Sequence, residues 1–368
     1  MLEQSENGTR FHQPGARKFS EGIEALGLDE NGHLSPVDAN ILDCLGSGYC
    51  NIGCQWGKKL SALDTTLPRA QHKFGADRVR ILSECQVDKI ELDGRRASSL
   101  ECKLSGGGRL RVEANTVVVA AGALASSLLL QRSKLKTPAG KQLSFNVATP
   151  LTADFPERLD AYAGMQICRY MQPPADDGMV LETWFNPAMM QSLFMPGWFD
   201  DHWHNMQRYP YMTCFGVVVG SSSNGKVKHA RIGKAPELDY SVDADDRARL
   251  IDGMKLAGKI AFAAGAERVM PPTYGYLEIT SEEQLGDLDE EIRAHGDLMM
   301  NSAHPQGGNP ISRDPEKGVV DERFRVRHRG EPLENLYVAD ASVFPSSVTV
   351  NPQLTVMALA SYAAQTIE

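Results

Sequence analysis

The chain has 368 residues and a formal net charge of −9, with 42% hydrophobic and 23% charged residues. That length allows a substantial core and two domains, and the composition suits a mixed α/β or α+β protein. The acidic balance argues against a nucleic acid as partner, which wants a basic face, and no apolar run is long enough to cross a bilayer. The start, residues 1–32, lacks the basic, apolar, small-residue order of a signal peptide. A cytoplasmic location is the default expectation, with the periplasm open if the true start lies upstream.

Residues 17–28 carry apolar positions at helical spacing and end in glycine and charge, which predicts a short helix. A loop rich in Gly and Cys follows over 41–60, then a helical pattern over 61–74. From 78 to 120 the pattern turns to strands, with turn signals at Asp93-Gly94 and at Gly106-Gly107-Gly108. This three-strand meander leads into the apolar strand TVVVAAG, which passes directly into a helix, ALASSLLLQRS. Such a strand-to-helix turn brings backbone amides to the place where open α/β sheets hold nucleotides. Residues 145–240, rich in Met, Trp, Tyr and Pro, predict a second, mainly antiparallel domain. Its aromatic and Met content from 165 to 215 reads either as a pocket for a bulky alcohol or as ordinary sheet core. The clearest helix spans 241–266, with Asp243 or Asp245 as cap and Gly265 near its end. An acidic helix over 280–300, strands over 318–340 and a terminal helix over 352–367 with Pro352 at its first position complete the pass.

The domain boundaries expected from this reading are 1–144, 145–300 and 301–368. His202 and His204 have a metal-like spacing but no third ligand nearby, which favours a solvated loop. The serine pairs at 126–127 and 346–347 lack the G-x-S-x-G elbow of a hydrolase.

The seven cysteines do not make a disulfide framework in a chain of this size. Cys85, Cys102, Cys168 and Cys214 lie in apolar or strand-like surroundings, as small buried hydrophobes do. Cys44, Cys50 and Cys54 form a C-x5-C-x3-C loop. Three soft thiolates among glycines are compatible with a metal-free loop, with iron–sulfur chemistry, or with zinc short of a fourth ligand.

The C-terminal region holds the most informative pattern. His304-Pro305 lies in one loop, Gly318-Val319-Val320-Asp321 begins a strand pair, and residues 337–345 read YVADASVFP. Asn351-Pro352 then opens the last helix. Order and spacing resemble the C-terminal signature of the glucose–methanol–choline (GMC) family of flavin-dependent oxidoreductases. Residues 122–133 resemble the family's second signature through Gly122, Ser126, Ser127, Leu130 and Ser133, departing from it at Gln131 and Lys134. The resemblance spans roughly residues 40–368.

It implies an FAD-binding, partly Rossmann-like domain joined to an antiparallel-sheet substrate domain. It also implies oxidation of the CH–OH group of a sugar, polyol or other alcohol, with hydride transfer to flavin N5. His304 would then be the base, since an imidazole titrates near neutrality, and Asn351 would orient the substrate oxygen. Each proline would hold a bend that aims a polar side chain at one reacting centre. Pro352 and Gln353 would turn a helix N-terminus toward the flavin pyrimidine edge, where negative charge develops. Asp340 and Ala341 would meet the ribityl and phosphate region, Val87 the adenine through its backbone, and Ala121 and Gly122 the nucleotide. The cysteine loop is similar to that of the flavoprotein subunits of bacterial glucose and gluconate dehydrogenases, which implies an iron–sulfur cluster on Cys44, Cys50 and Cys54. An electron-accepting cytochrome or a small partner subunit would go with it.

One expected feature is missing. A flavoenzyme of this kind cradles the pyrophosphate in a G-x-G-x-x-G turn, and none occurs in these 368 residues. The alternative reading is therefore a truncated or accessory chain without a complete flavin site.

Overall fold

A computed structural model describes residues 11–29, 34–174, 178–229 and 235–367. The first ten residues, on which part of the no-leader reading rests, lie outside them. The chain packs as two units, one of residues 1–80, 148–219 and 244–301, the other of 81–147, 220–243 and 302–368. Residues 1–80 thus fall with 148–219, whereas the sequence grouped them with the stretch up to 144. The architecture is the expected mixed one, α/β (α+β), with most strand pairs antiparallel.

In the first unit, helix Pro14–Ala25 begins where the Gln13 side chain accepts the Gly15 N–H at 3.0 Å. Pro14 takes the position whose N–H no partner needs. Gly22 is required because a Cβ there would stand 2.0 Å from the Ile260 carbonyl oxygen, so this helix lies directly on helix Ala244–Ala263. The sheet beneath includes Leu34–Pro36, Arg169–Met171, Met179–Trp184 and Met212–Gly220, paired antiparallel in that order. Every residue of Met212–Gly220 but the last is buried, as a short continuous apolar run predicts. Buried Asp154 ties Arg208 at 2.8 Å and Arg268 at 2.9 Å to the end of strand Lys141–Asp154.

In the second unit, Cys85–Asp93, Arg96–Leu104 and Arg109–Val112 form the expected meander. Val117–Val119 pairs parallel with Glu331–Val338, Leu336 opposite Val117 and Val338 opposite Val119. It forms the edge of a three-stranded sheet, with Arg325–His328 beyond Glu331–Val338. Helix Gly122–Arg132 follows the edge strand at once. Ile90, Leu130, Val319, Val326, Leu336 and Phe344 are among the buried residues that join these pieces in one core. The early residues of Lys141–Asp154 pair with Pro305–Gly308 and with Gly225–His229.

Several expectations need correction. The acidic stretch 280–300 is not one helix: 3-10 turns Glu283–Gly286 and His295–Asp297 flank a five-residue helix, Asp287–Glu291. Its density of like charge and its glycines at 286 and 296 favour turns over a long helix. His202 and His204 sit on helix Asp200–Gln207, not in a loop. The helix expected from 61 starts at Thr66 and carries Pro68 in its first turn, where proline costs no hydrogen bond. The last helix is Gln353–Thr366 with Pro352 as its N-cap, so Asn351 stands just outside it. That apolar helix buries only Ala363, while Leu354, Met357 and Tyr362 are each more than half exposed.

Glu182 carries a testable consequence. It lies in Met179–Trp184 opposite Gly216, whose missing side chain leaves it room, and is only 8% exposed. Burial pushes its carboxyl from 4.5 up to about 7. A raised carboxyl favours the folded state while neutral and loses that advantage as pH rises from 4.5 through about 7. Replacing Glu182 with Gln should therefore raise stability above pH 7 by up to about 3 kcal/mol. It should also flatten the pH dependence of denaturant midpoints between pH 5 and 8.

Candidate active site

Antiparallel pairing sets one side of the site. Pro305 lies opposite Phe145 and Gln306 opposite Ser144, which fixes the segment directly after His304. The His304 backbone N–H donates to Ser302 Oγ at 3.1 Å. From the other side, the turn after Val343 brings the chain back to Asn351, at the foot of helix Gln353–Thr366. Asn351 Nδ2 comes to 3.4 Å from His304 Nε2. The two residues are 47 positions apart in sequence and meet within one unit. Burial pushes the His304 imidazole below its ordinary 6.5. At neutral pH the ring is therefore uncharged, with a lone pair available.

Two buried amides, Asn146 and Gln306, lie behind this pair, and the sequence reading singled out neither. A signal was present: Asn146 interrupts the strand LSFNVATPL with a polar side chain, and Gln306 follows His304 by two positions.

Of the residues expected at the nucleotide end, Ala121, Gly122, Asp340 and Ala341 gather at a second place in the same unit, whereas Val87 lies at the far end of helix Gly122–Arg132. Ala121 caps helix Gly122–Arg132, and Gly122 adopts φ +83°, a conformation suited to glycine, with open space where a Cβ would be. The Asp340 carboxylate accepts the Gly122 N–H at 2.8 Å, the Ser126 hydroxyl, and the Ser342 N–H at 2.8 Å. Its side chain thus holds protein donors, and a carboxylate at a helix N-terminus is favoured by the helix dipole. Ala341 begins the 3-10 turn that Asp340 caps. Val87 lies on strand Cys85–Asp93 opposite Cys102, its carbonyl 3.4 Å from Arg132 Nη2. Pro352 and Gln353 open a helix that no side chain caps, leaving its first N–H groups free of side-chain acceptors.

The cysteine loop does not form a metal centre. Among the described residues no group of three or more His, Cys, Asp or Glu side chains is placed to hold a metal. The Cys44 and Cys54 thiols serve local structure. Cys44 packs against Phe11 and Met165 and accepts the Gly46 N–H at 3.4 Å. Cys54 accepts the Lys58 N–H at 3.3 Å, and backbone donors of this kind lower its thiol. One glycine of the loop serves close packing: a Cβ on Gly48 would lie 1.9 Å from the Tyr162 carbonyl oxygen. Cys102, Cys168 and Cys214 are buried, and Cys85 is half-buried.

The aromatic stretch serves both as core and as a cavity wall. In the first unit a cavity of about 380 Å³ is lined largely by Leu193, Phe194, Met195, Trp198, Tyr274 and Met299. Trp198 Nε1 donates to the Tyr274 carbonyl at 3.0 Å and His202 Nε2 sits 2.9 Å from the Ser192 carbonyl, which together brace the wall. No helix among the described residues is long and apolar enough to cross a membrane.

Comparison with known proteins bears on the family of the chain. Residues 6–151 and 221–360, together more than half the chain, match GMC oxidoreductase domains. The chain is 31% identical over 329 residues to an uncharacterized GMC-type oxidoreductase of Mycobacterium tuberculosis, covering 89% of this chain and 51% of that protein. A long-chain-alcohol oxidase of Arabidopsis thaliana is 26% identical, over 92% of this chain and 48% of its own. Among solved structures, pyridoxine 4-oxidase from Mesorbium loti superposes with a TM-score of 0.71 at 20% identity, over 97% of this chain and 70% of that one. The chain spans about half the length of several curated relatives it matches. The chain belongs to the GMC oxidoreductase family.

Proposed function

We propose that this chain carries the reacting groups of an FAD-dependent alcohol oxidoreductase, with His304 as base and Asn351 as the group that orients the substrate oxygen. The observation that supports it is the 3.4 Å approach of Asn351 Nδ2 to His304 Nε2. A hydroxyl placed between them can give its proton to the imidazole and accept a hydrogen bond from the carboxamide. The uncharged state that burial favours at His304 is the one a base needs.

The uncapped N-terminus at Gln353 offers backbone N–H groups that fit the ring end of FAD, and Gly122 leaves open space where a Cβ would be, while Asp340 is held by protein donors. Val87 stands for the adenine side. No G-x-G-x-x-G cradle for the pyrophosphate occurs in the sequence. When bound, FAD takes up the two electrons lost by the alcohol carbon. The protein's part is to hold the oxygen, remove its proton and exclude water. A cytochrome or small-subunit acceptor went with the cluster expectation, and the unconverged thiols remove that support.

A second reading, a non-catalytic accessory chain, is favoured by one observation: the exposed apolar face of Gln353–Thr366 beside a missing phosphate cradle.

Turnover separates the two readings. With primary alcohols and saturating added FAD, dye reduction should fall about 10²- to 10⁴-fold in His304→Ala and about 10²-fold in Asn351→Ala. The rate should hold steady above neutrality and fall as pH drops through the His304 midpoint, below 6.5, because protonation removes the base. A His304→Ala protein as active as the parent would end the catalytic reading, and a parent inactive on every alcohol would leave the accessory one. FAD itself should bind the chain weakly, and flavin copurifying at near-equal molar ratio would contradict that.

A further inference from the structure

We propose that Asn146, acting with Gln306 and Ser347, is the positioning residue that holds His304 and Asn351 in register. This rests on the reading of those two as the reacting pair.

Asn146 and Gln306 are both fully buried. Asn146 Nδ2 donates to the Val350 carbonyl at 2.7 Å, the residue directly before Asn351. Its Oδ1 accepts twice, from Gln306 Nε2 at 3.0 Å and from Ser347 Oγ at 2.7 Å. Gln306 Oε1 accepts the Val348 N–H at 3.0 Å, and its Nε2 lies 3.4 Å from the His304 carbonyl. Ser347 Oγ also lies 3.3 Å from the Phe145 carbonyl. Two side chains thus gather backbone groups of residues 304, 348 and 350 into one hydrogen-bonded lattice.

Strand economy alone does not account for this choice. Lys141–Asp154 is buried along most of its length, and an aliphatic residue at 146 would satisfy its core. A buried amide is costly unless each donor and acceptor is met, and the partners of this one lie in the His304 and Asn351 segments. Inside the protein such linked bonds reinforce one another. Catalytic groups need placement to a fraction of an ångström, and residues that do not touch the substrate supply it.

The test needs no turnover. Histidine-labelled chain is titrated by NMR, with the His229 signal as internal reference and circular dichroism and melting temperature recorded alongside. In Asn146→Ala the His304 midpoint should move up toward 6.5 as water reaches the ring, and the Asn351 side-chain amide signal should shift. Ser347→Ala, which removes one bond at a half-buried hydroxyl, should move both signals the same way by less. A lower melting temperature with His304 and Asn351 signals unmoved in these variants would make the lattice merely structural and overturn the proposal. If Asn146→Ala does not fold, Ser347→Ala decides on the same signals. An alcohol-inactive parent would count against the reaction, whereas an unmoved His304 counts against the positioning, so the two failures are distinct.

Discussion

A parallel pairing only three residues deep joins the two ends of the second unit's core. Val117–Val119 lies against Leu336–Val338, segments more than two hundred positions apart. Where the strands end, the Asp340 carboxylate takes the Gly122 N–H on one chain segment and the Ser342 N–H on the other. A buried carboxylate is stable here because several donors meet it and a helix N-terminus faces it. From this junction the chain runs to helix Gly122–Arg132 in one direction, and to the turn that delivers Asn351 in the other.

The approach of His304 to Asn351 depends on a second long-range constraint, the pairing of Pro305–Gly308 with Lys141–Asp154. It anchors His304 to a strand, while Asn351 arrives on a loop. Such a division is common where a reacting group must be rigid and its neighbour must admit a substrate.

Much of this was legible in the residues. The meander, the strand passing into a helix at Gly122, the long helix before Gly265 and the approach of residues 304 and 351 all follow from local pattern and motif order. What escaped depended on tertiary partners. Asn146 reads as an anomaly in an apolar strand until Val350 and Gln306 are placed beside it. The cysteine spacing suggested a cluster, yet Cys44 faces Phe11 and Met165 while Cys54 takes an amide of its own turn, details that spacing does not encode. The stretch 280–300 had helical composition, but its acidic run and glycines broke it into turns.

The last helix has a consequence for how the site keeps its shape. With Ala363 its one buried residue and Val356 and Leu359 partly buried against the core, Gln353–Thr366 packs along a narrow stripe and relies also on the intrinsic preference of Ala, Leu, Met and Gln for the helical state. Fourteen residues of that kind are marginal by themselves in water, so the first turn is prone to unwind. The carboxamide just ahead of that turn is steadied from behind, by the strand under its loop, and can stay in place while the helix in front of it breathes.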